Sequence, residues 1–291
     1  MTSKFKDRVF DWIIMAILIV LAALCLFPFI NILAISLSSN SAILGGKVSI
    51  FPVGFQILAY KAVLKDAAMI RAFVFTVFLT GLYTVVTVTT TICAAYPLSK
   101  ENLKGRKIFL MIIIFTMYFS GGMIPTYLVV NNLHLINSMW ALILPGMMSV
   151  FYMIIMKSYF TTAIPPSLEE AATIDGCSTM NYLIKILIPL SKPVLAAIAL
   201  FYAVNRWNGF MDALYYINDP EKYPMQLKLR QIISLSQVDQ MQMDIQTEAE
   251  SVVPEALKSA SIIFGTVPIL LIYPFLQKYF ISGIMLGSVK G

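Results

Sequence analysis

The feature that most restricts this chain is the run from Trp12 to Ile35, which contains no charged side chain. Five further stretches, about 72–98, 108–130, 139–160, 193–204 and 259–280, carry at most one charge each. A helix crosses the hydrocarbon core of a bilayer with roughly 20 apolar residues, and inside that core every backbone N–H and C=O must be paired within the protein. Helices meet the condition locally. The expected fold class is therefore all-α: a polytopic membrane protein with six transmembrane helices, built as one transmembrane domain over residues 1–291. A soluble domain is excluded by composition, since 59% of the residues are hydrophobic and 12% charged.

Lys4, Lys6 and Arg8 precede the first run, as they would in a secretory signal. The run is longer than a signal's apolar core and no small-residue cleavage site follows it, so it reads as a retained span, kinked at Pro28. Residues 36–71 are too many for a tight turn and predict a short interfacial helix near 57–64. The second span holds Thr84, Thr87, Thr89, Thr90 and Thr91, whose hydroxyls can bond their own helix or a neighbour's. Gly121 and Gly122 with Pro125 predict a bend or unwinding in the outer end of the third span.

Charge fixes the orientation. The loop at 99–107 carries Lys100, Lys104, Arg106 and Lys107 against Glu101 alone, whereas 131–138 has no Lys or Arg. With both termini placed in the cytoplasm, 12 of the 21 basic residues and 6 of the 15 acids fall inside, a net of +6 against zero outside. That is the positive-inside pattern.

On this topology the polar stretch Pro165–Pro189 faces the cytoplasm. Ser167 and Glu170 have capping-box spacing behind Pro165 and Pro166, predicting a helix from about Leu168 that ends at Gly176. A second short helix is expected after Ser178, with Tyr182, Leu183, Ile186 and Leu187 on one side, stopped by Pro189. Ala171 and Ala172 predict a flank of the first helix with little side-chain bulk, surrounded by Glu169, Glu170 and Asp175. The same pattern also fits an amphipathic helix lying on the bilayer surface.

The order Glu170-Ala171-Ala172, Gly176, Ile186, Pro189 resembles the signature of permease subunits of ABC importers, with Ile188 where Leu is usual. The resemblance implies a cytoplasmic coupling helix that docks on an ATP-hydrolysing subunit, with Glu169, Glu170, Ala171, Ala172, Asp175 and Gly176 as the coupling residues. Trp207-Asn208-Gly209-Phe210, Asn218-Asp219-Pro220 and the terminal 283–291 stretch are similar to the second permease of maltose-type carbohydrate importers. Gly209 stands where that group often has Glu, so no role of that Glu transfers. Within the group the chain looks most like permeases for complex oligosaccharides such as aldouronates. The resemblance implies an importer in a bacterial cytoplasmic membrane. Its partners would be a homologous second permease, two ATP-binding subunits that hold ATP and Mg, and an external solute-binding protein.

No G-x-x-x-x-G-K-[ST] phosphate loop occurs in the sequence, since Gly46-Lys47-Val48-Ser49 lacks the upstream glycine spacing. The expectation is a transport subunit with no ATPase site and no cofactor of its own. A single histidine, His134, leaves little for acid–base catalysis, and Cys25, Cys93 and Cys177 show no pairing or metal spacing.

The candidate substrate pathway follows from the polar end of the fifth span. An oligosaccharide offers ring faces for aromatic stacking and hydroxyls for fixed donors and acceptors. Read as one helix, Asn205, Asn208 and Asp212 share a face, with Tyr202 a turn below and Tyr118 and Tyr152 from other spans. Two readings of Arg206 stand: a functional group facing the bundle interior or water, or a side chain snorkelling to outer headgroups. Likewise the polar face either lines a sugar path or packs on the partner permease. The alternatives are an ABC importer permease for another solute and, outside the importer class, a channel or passive carrier.

Overall fold

The computed structural model describes residues 2–242 and 252–288, with side chains described for 10–234, 252 and 253–272. All its regular structure there is helical. Contacts gather the chain into two compact units, one drawn from residues 1–70 and 228–267, the other from 71–227 and 268–291.

In the first unit, α1 (Thr2–Ser36) is apolar from Phe10 to Ser36 and exposes its side chains from Phe10 to Ile30, with Ala34 and Ser36 buried at its end. Its end is clamped by the segment that follows. Asn31 Nδ2 donates to the Ser49 carbonyl at 2.7 Å, and the Val53 amide donates to Ser38 Oγ at 3.0 Å. Between these lies α2 (Asn40–Leu44), capped by Ser39 and not foreseen from sequence. The expected interfacial helix is α3 (Leu58–Lys65).

The second unit contains most of α4 (Ala67–Ser99), a long span whose threonines bond back to carbonyls one turn earlier: Thr84 to Thr80, Thr87 to Tyr83 and Thr91 to Thr87. They also reach outward, Thr76 Oγ1 accepting from the Met225 amide at 2.7 Å. Then α5 (Arg106–Tyr118) and α6 (Met123–Asn132) form one broken span, bent by 113°. The break is at the predicted pair, Gly122 having φ +91°, a conformation open to glycine.

The fourth span differs from the plain helix expected. Two 3₁₀ turns, Met139–Leu142 and Leu144–Gly146, meet α7 (Val150–Thr162) at 54°. Pro145-Gly146 supplies the interruption. After α8 (Pro166–Ile174) and α9 (Thr179–Tyr182) come a π-helical turn at Leu183–Leu187 and α10 (Ile188–Leu190). The chain then bends by 82° into α11 (Lys192–Asn208). Pro189 was expected to stop the helix and does not; the break falls at Ser191. The rest is α12 (Met211–Tyr216), a 3₁₀ turn at Pro220–Lys222, α13 (Met225–Gln242) and α14 (Pro254–Ser288). Among the described residues three helices suffice by length and hydropathy to cross a membrane, and the number rises to as many as six when each bent pair counts as one span. The side chains of the 283–291 motif, and the acids Asp239, Asp244, Glu248 and Glu250, lie outside those described.

Candidate functional site

The Pro165–Pro189 stretch folds as helix, glycine corner and second helix. α8 starts earlier than Leu168, with Pro165 as its N-cap and Pro166 in its first turn, so Ser167 lies inside the helix and the predicted capping box does not form. Proline suits that place because its missing N–H is one that the first turn leaves unpaired anyway. At the other end the Cys177 amide donates to the Ala172 carbonyl at 2.9 Å and Gly176 has φ +77°, a left-handed helix stop that favours glycine. Ser178 caps α9 through the Asn181 amide. Tyr182 and Leu187 are buried, with Leu183 and Ile186 partly so, on the predicted side.

The alanines separate. Ala172 turns inward and joins the buried cluster that also holds Phe160, Ile164, Tyr182 and Leu187. The flank expected to be bare is instead made by exposed Glu170, Ala171 and Thr173, with Ile174 86% exposed. Adjacent carboxylates face opposite ways: Glu170 and Asp175 are exposed, while Glu169 forms an ion pair with Lys100 and accepts from the Tyr96 hydroxyl at 3.3 Å. A cavity of about 580 Å³ lies here, lined in part by Lys100, Phe160, Pro165, Glu169, Glu170 and Ile174.

The second cluster sits at the end of α11. Reading 205–212 as one helix fails, because α11 ends at Asn208 and Gly209 is extended, with φ −73° and ψ 131°. The chain turns, and Asp212, in the first turn of α12, folds back on Arg206. The guanidinium makes a two-pronged ion pair with this carboxylate, Nη2 donating to Oδ1 at 2.9 Å and Nη1 to Oδ2. Nη1 also donates to the Leu142 carbonyl at 3.0 Å and Nη2 to the Gly209 carbonyl at 3.2 Å. The Tyr83 ring lies 5.8 Å from the guanidinium carbon, and the Tyr83 hydroxyl donates to the Gly146 carbonyl. Arg206 is thus a buried, paired group rather than a snorkelling one, with only Nε lacking a partner.

Asn205, Asn208 and Asp212 nevertheless come together, since all three line a cavity of about 450 Å³ with Tyr83, Arg206 and Tyr216. Asn205 and Asn208 are exposed and Asp212 half-buried. Tyr202 is buried, its hydroxyl held by Thr91 at 2.9 Å and by the Ser149 amide at 2.8 Å. Tyr152 packs edge-on to Tyr202 at 4.9 Å and stacks on Phe201. Tyr118 ends α5, 83% exposed, and is not among the residues that line this cavity. Trp207 is buried edge-on against Phe73. Sequence reasoning passed over Tyr83 and the carbonyls of Leu142 and Gly146, which carry no signal of their own.

The pattern shared by binding-protein-dependent transport system inner membrane components matches residues 88–285. The chain belongs to that family. It is 42% identical to the polygalacturonan/rhamnogalacturonan transport system permease protein YtcP of Bacillus subtilis (strain 168), over 98% of this chain and 100% of that protein. Protein LplC of the same organism is 45% identical, over 100% of this chain and 98% of its own length. Among solved structures, a bacterial ABC transporter involved in the import of the acidic polysaccharide alginate superposes with a TM-score of 0.85 at 34% identity, covering 94% of this chain and 98% of that one. The chain is a multi-pass membrane permease of the ABC sugar-importer kind, and its relatives are transport proteins rather than enzymes.

Proposed function

We propose that this permease carries acidic oligosaccharides, fragments of pectin-like or related polysaccharides, handed over by an external binding protein. The similarity over nearly full length to a polygalacturonan/rhamnogalacturonan permease and to a chain of an ABC transporter involved in alginate import supports that substrate class. The family description supports the binding protein. In this reading the chain acts as one transmembrane domain in a bacterial cytoplasmic membrane with both termini inside. It pairs with a second, homologous permease and with two ATPase subunits that hold the ATP and Mg, and itself has no ATPase site and no cofactor.

The observation that carries the coupling role is the two-sidedness of α8. Ala172 and Glu169 tie it to its own chain, while Glu170, Ala171 and Ile174 form an exposed edge with an aliphatic centre and acidic flank. Such an edge suits an apolar cleft with a basic rim on the ATPase. The Asn205, Asn208 and Asp212 cavity is the proposed sugar contact. Purification of the importer tests the reading. The ATPase subunits should accompany the chain, and galacturonan oligosaccharides presented with the binding protein should stimulate ATP hydrolysis. A permease that purifies without an ATPase and transports without ATP would return the channel or passive-carrier alternative.

A further inference from the structure

We propose that the Lys100–Glu169 ion pair is a latch through which α4 follows the movements of α8, which makes Lys100 a positioning residue for ATP-driven transport; this rests on α8 being the coupling helix. Lys100 immediately follows the last residue of α4. Its ammonium meets the Glu169 carboxylate and lies 4.4 Å from the centre of the Tyr96 ring and 5.5 Å from that of Tyr182. Three elements therefore converge on one cation: α4 through Tyr96, α8 through Glu169 and α9 through Tyr182. Both charged side chains are about two-thirds buried, at 31% and 32% exposure. Water screens such a pair less than an open surface pair, and the two ring faces favour a cation at this place.

The far part of α4 reaches the other cluster. Thirteen residues along α4 from Tyr96, about 20 Å at helical rise, Tyr83 lies beneath Arg206 and bonds the Gly146 carbonyl, while Thr91 between them holds the Tyr202 hydroxyl. A rigid helix latched at one end to α8 and bonded at the other to the walls of the Asp212 cavity can convert a shift of α8 into a change at that cavity. Packing of Ala172, Tyr182 and Leu187 already holds α8 to its own chain, so the latch is needed for movement rather than for folding.

The test uses the complete importer in proteoliposomes, with galacturonan oligosaccharides that the wild-type protein takes up, and reads ATP hydrolysed per sugar imported. Lys100→Met should assemble with its partners and raise that ratio at least fivefold, and Lys100→Arg should stay within twofold of wild type. The charge swap Lys100→Glu with Glu169→Lys should recover at least half of the uptake that either single change removes. A wild-type ratio in Lys100→Met, or a loss of assembly that the swap does not repair, overturns the proposal. Glu170→Lys, measured in parallel, separates the two ideas. If it too couples normally, the coupling role of α8 falls; if it is uncoupled while Lys100→Met is not, only the latch falls.

Discussion

Gly209 and Arg206 share one space: a Cβ on Gly209 would stand 2.9 Å from Nη2 and 3.3 Å from Cζ of Arg206. The guanidinium cannot easily move aside, because Asp212 and the Leu142 and Gly209 carbonyls hold both of its terminal nitrogens. Gly209→Ala should cost about 1–3 kcal/mol, the usual range for overfilling a packed site. It would appear as a lower melting temperature of the detergent-solubilised complex, and an unchanged melting curve would show that the guanidinium relocates freely.

Asn208 and Asp212 line the same cavity but should answer differently to truncation. Asp212→Ala leaves a guanidinium that is only 6% exposed without its counter-charge, a change costing on the order of 3–5 kcal/mol, and the assembled permease should be depleted. Asn208 is exposed, and its side chain donates to the Val204 carbonyl one turn back at 3.0 Å. Asn208→Ala should keep assembly and alter uptake or sugar preference. Quantifying complex and transport together separates the outcomes, and normal transport by assembled Asn208→Ala would remove this residue from the sugar path.

What the sequence revealed and what it hid have a common physical cause. Apolar run length located the spans because a bilayer imposes a minimum helix length. Gly121-Gly122 disclosed the sharpest bend because those residues lower the cost of leaving the helix. The start of α8 lies two residues before the place the sequence indicates: the Ser167–Glu170 spacing points to Leu168, whereas the helix begins at Pro166, whose missing N–H suits the first helical position. Arg206 with Asp212 was hidden by the assumption that 205–212 is continuous helix: one extended residue at Gly209 redirects Asp212 from a shared face to a partner six residues earlier. Lys100 with Glu169, and Thr91 with Tyr202, are long-range meetings that no local pattern encodes.

Tyr202 can be tested as structure against pathway. The Ser149 amide donates to its hydroxyl, and Thr91 donates to the Thr87 carbonyl at 2.6 Å, so the Tyr202 hydroxyl is left to donate to Thr91. Removing it breaks a relay joining α11, α4 and the start of α7 and leaves a part-buried amide unpaired. Tyr202→Phe should therefore destabilise the complex by about 1–3 kcal/mol while sugar preference stays as in wild type. A shift in preference without loss of stability would instead place this hydroxyl on the sugar path.

The last prediction concerns the corner between α8 and α9. At φ +77° Gly176 occupies the left-handed region, where an L-residue costs roughly 1–2 kcal/mol and a β-branched one is the poorest fit. Nothing lies within 4 Å of where its Cβ would project, so the obstacle is the backbone angle and not crowding. Gly176→Val should consequently leave the spans inserted but push the corner out of its helix stop, loosening the bond from the Cys177 amide to the Ala172 carbonyl and tilting the exposed Glu170–Ile174 edge. ATP-driven uptake should be lost while the protein remains in the membrane fraction at wild-type level. Gly176→Asn, which tolerates the left-handed region, should retain most of the transport. If valine and asparagine behaved alike, the conformation at residue 176 would not be what sets the docking edge.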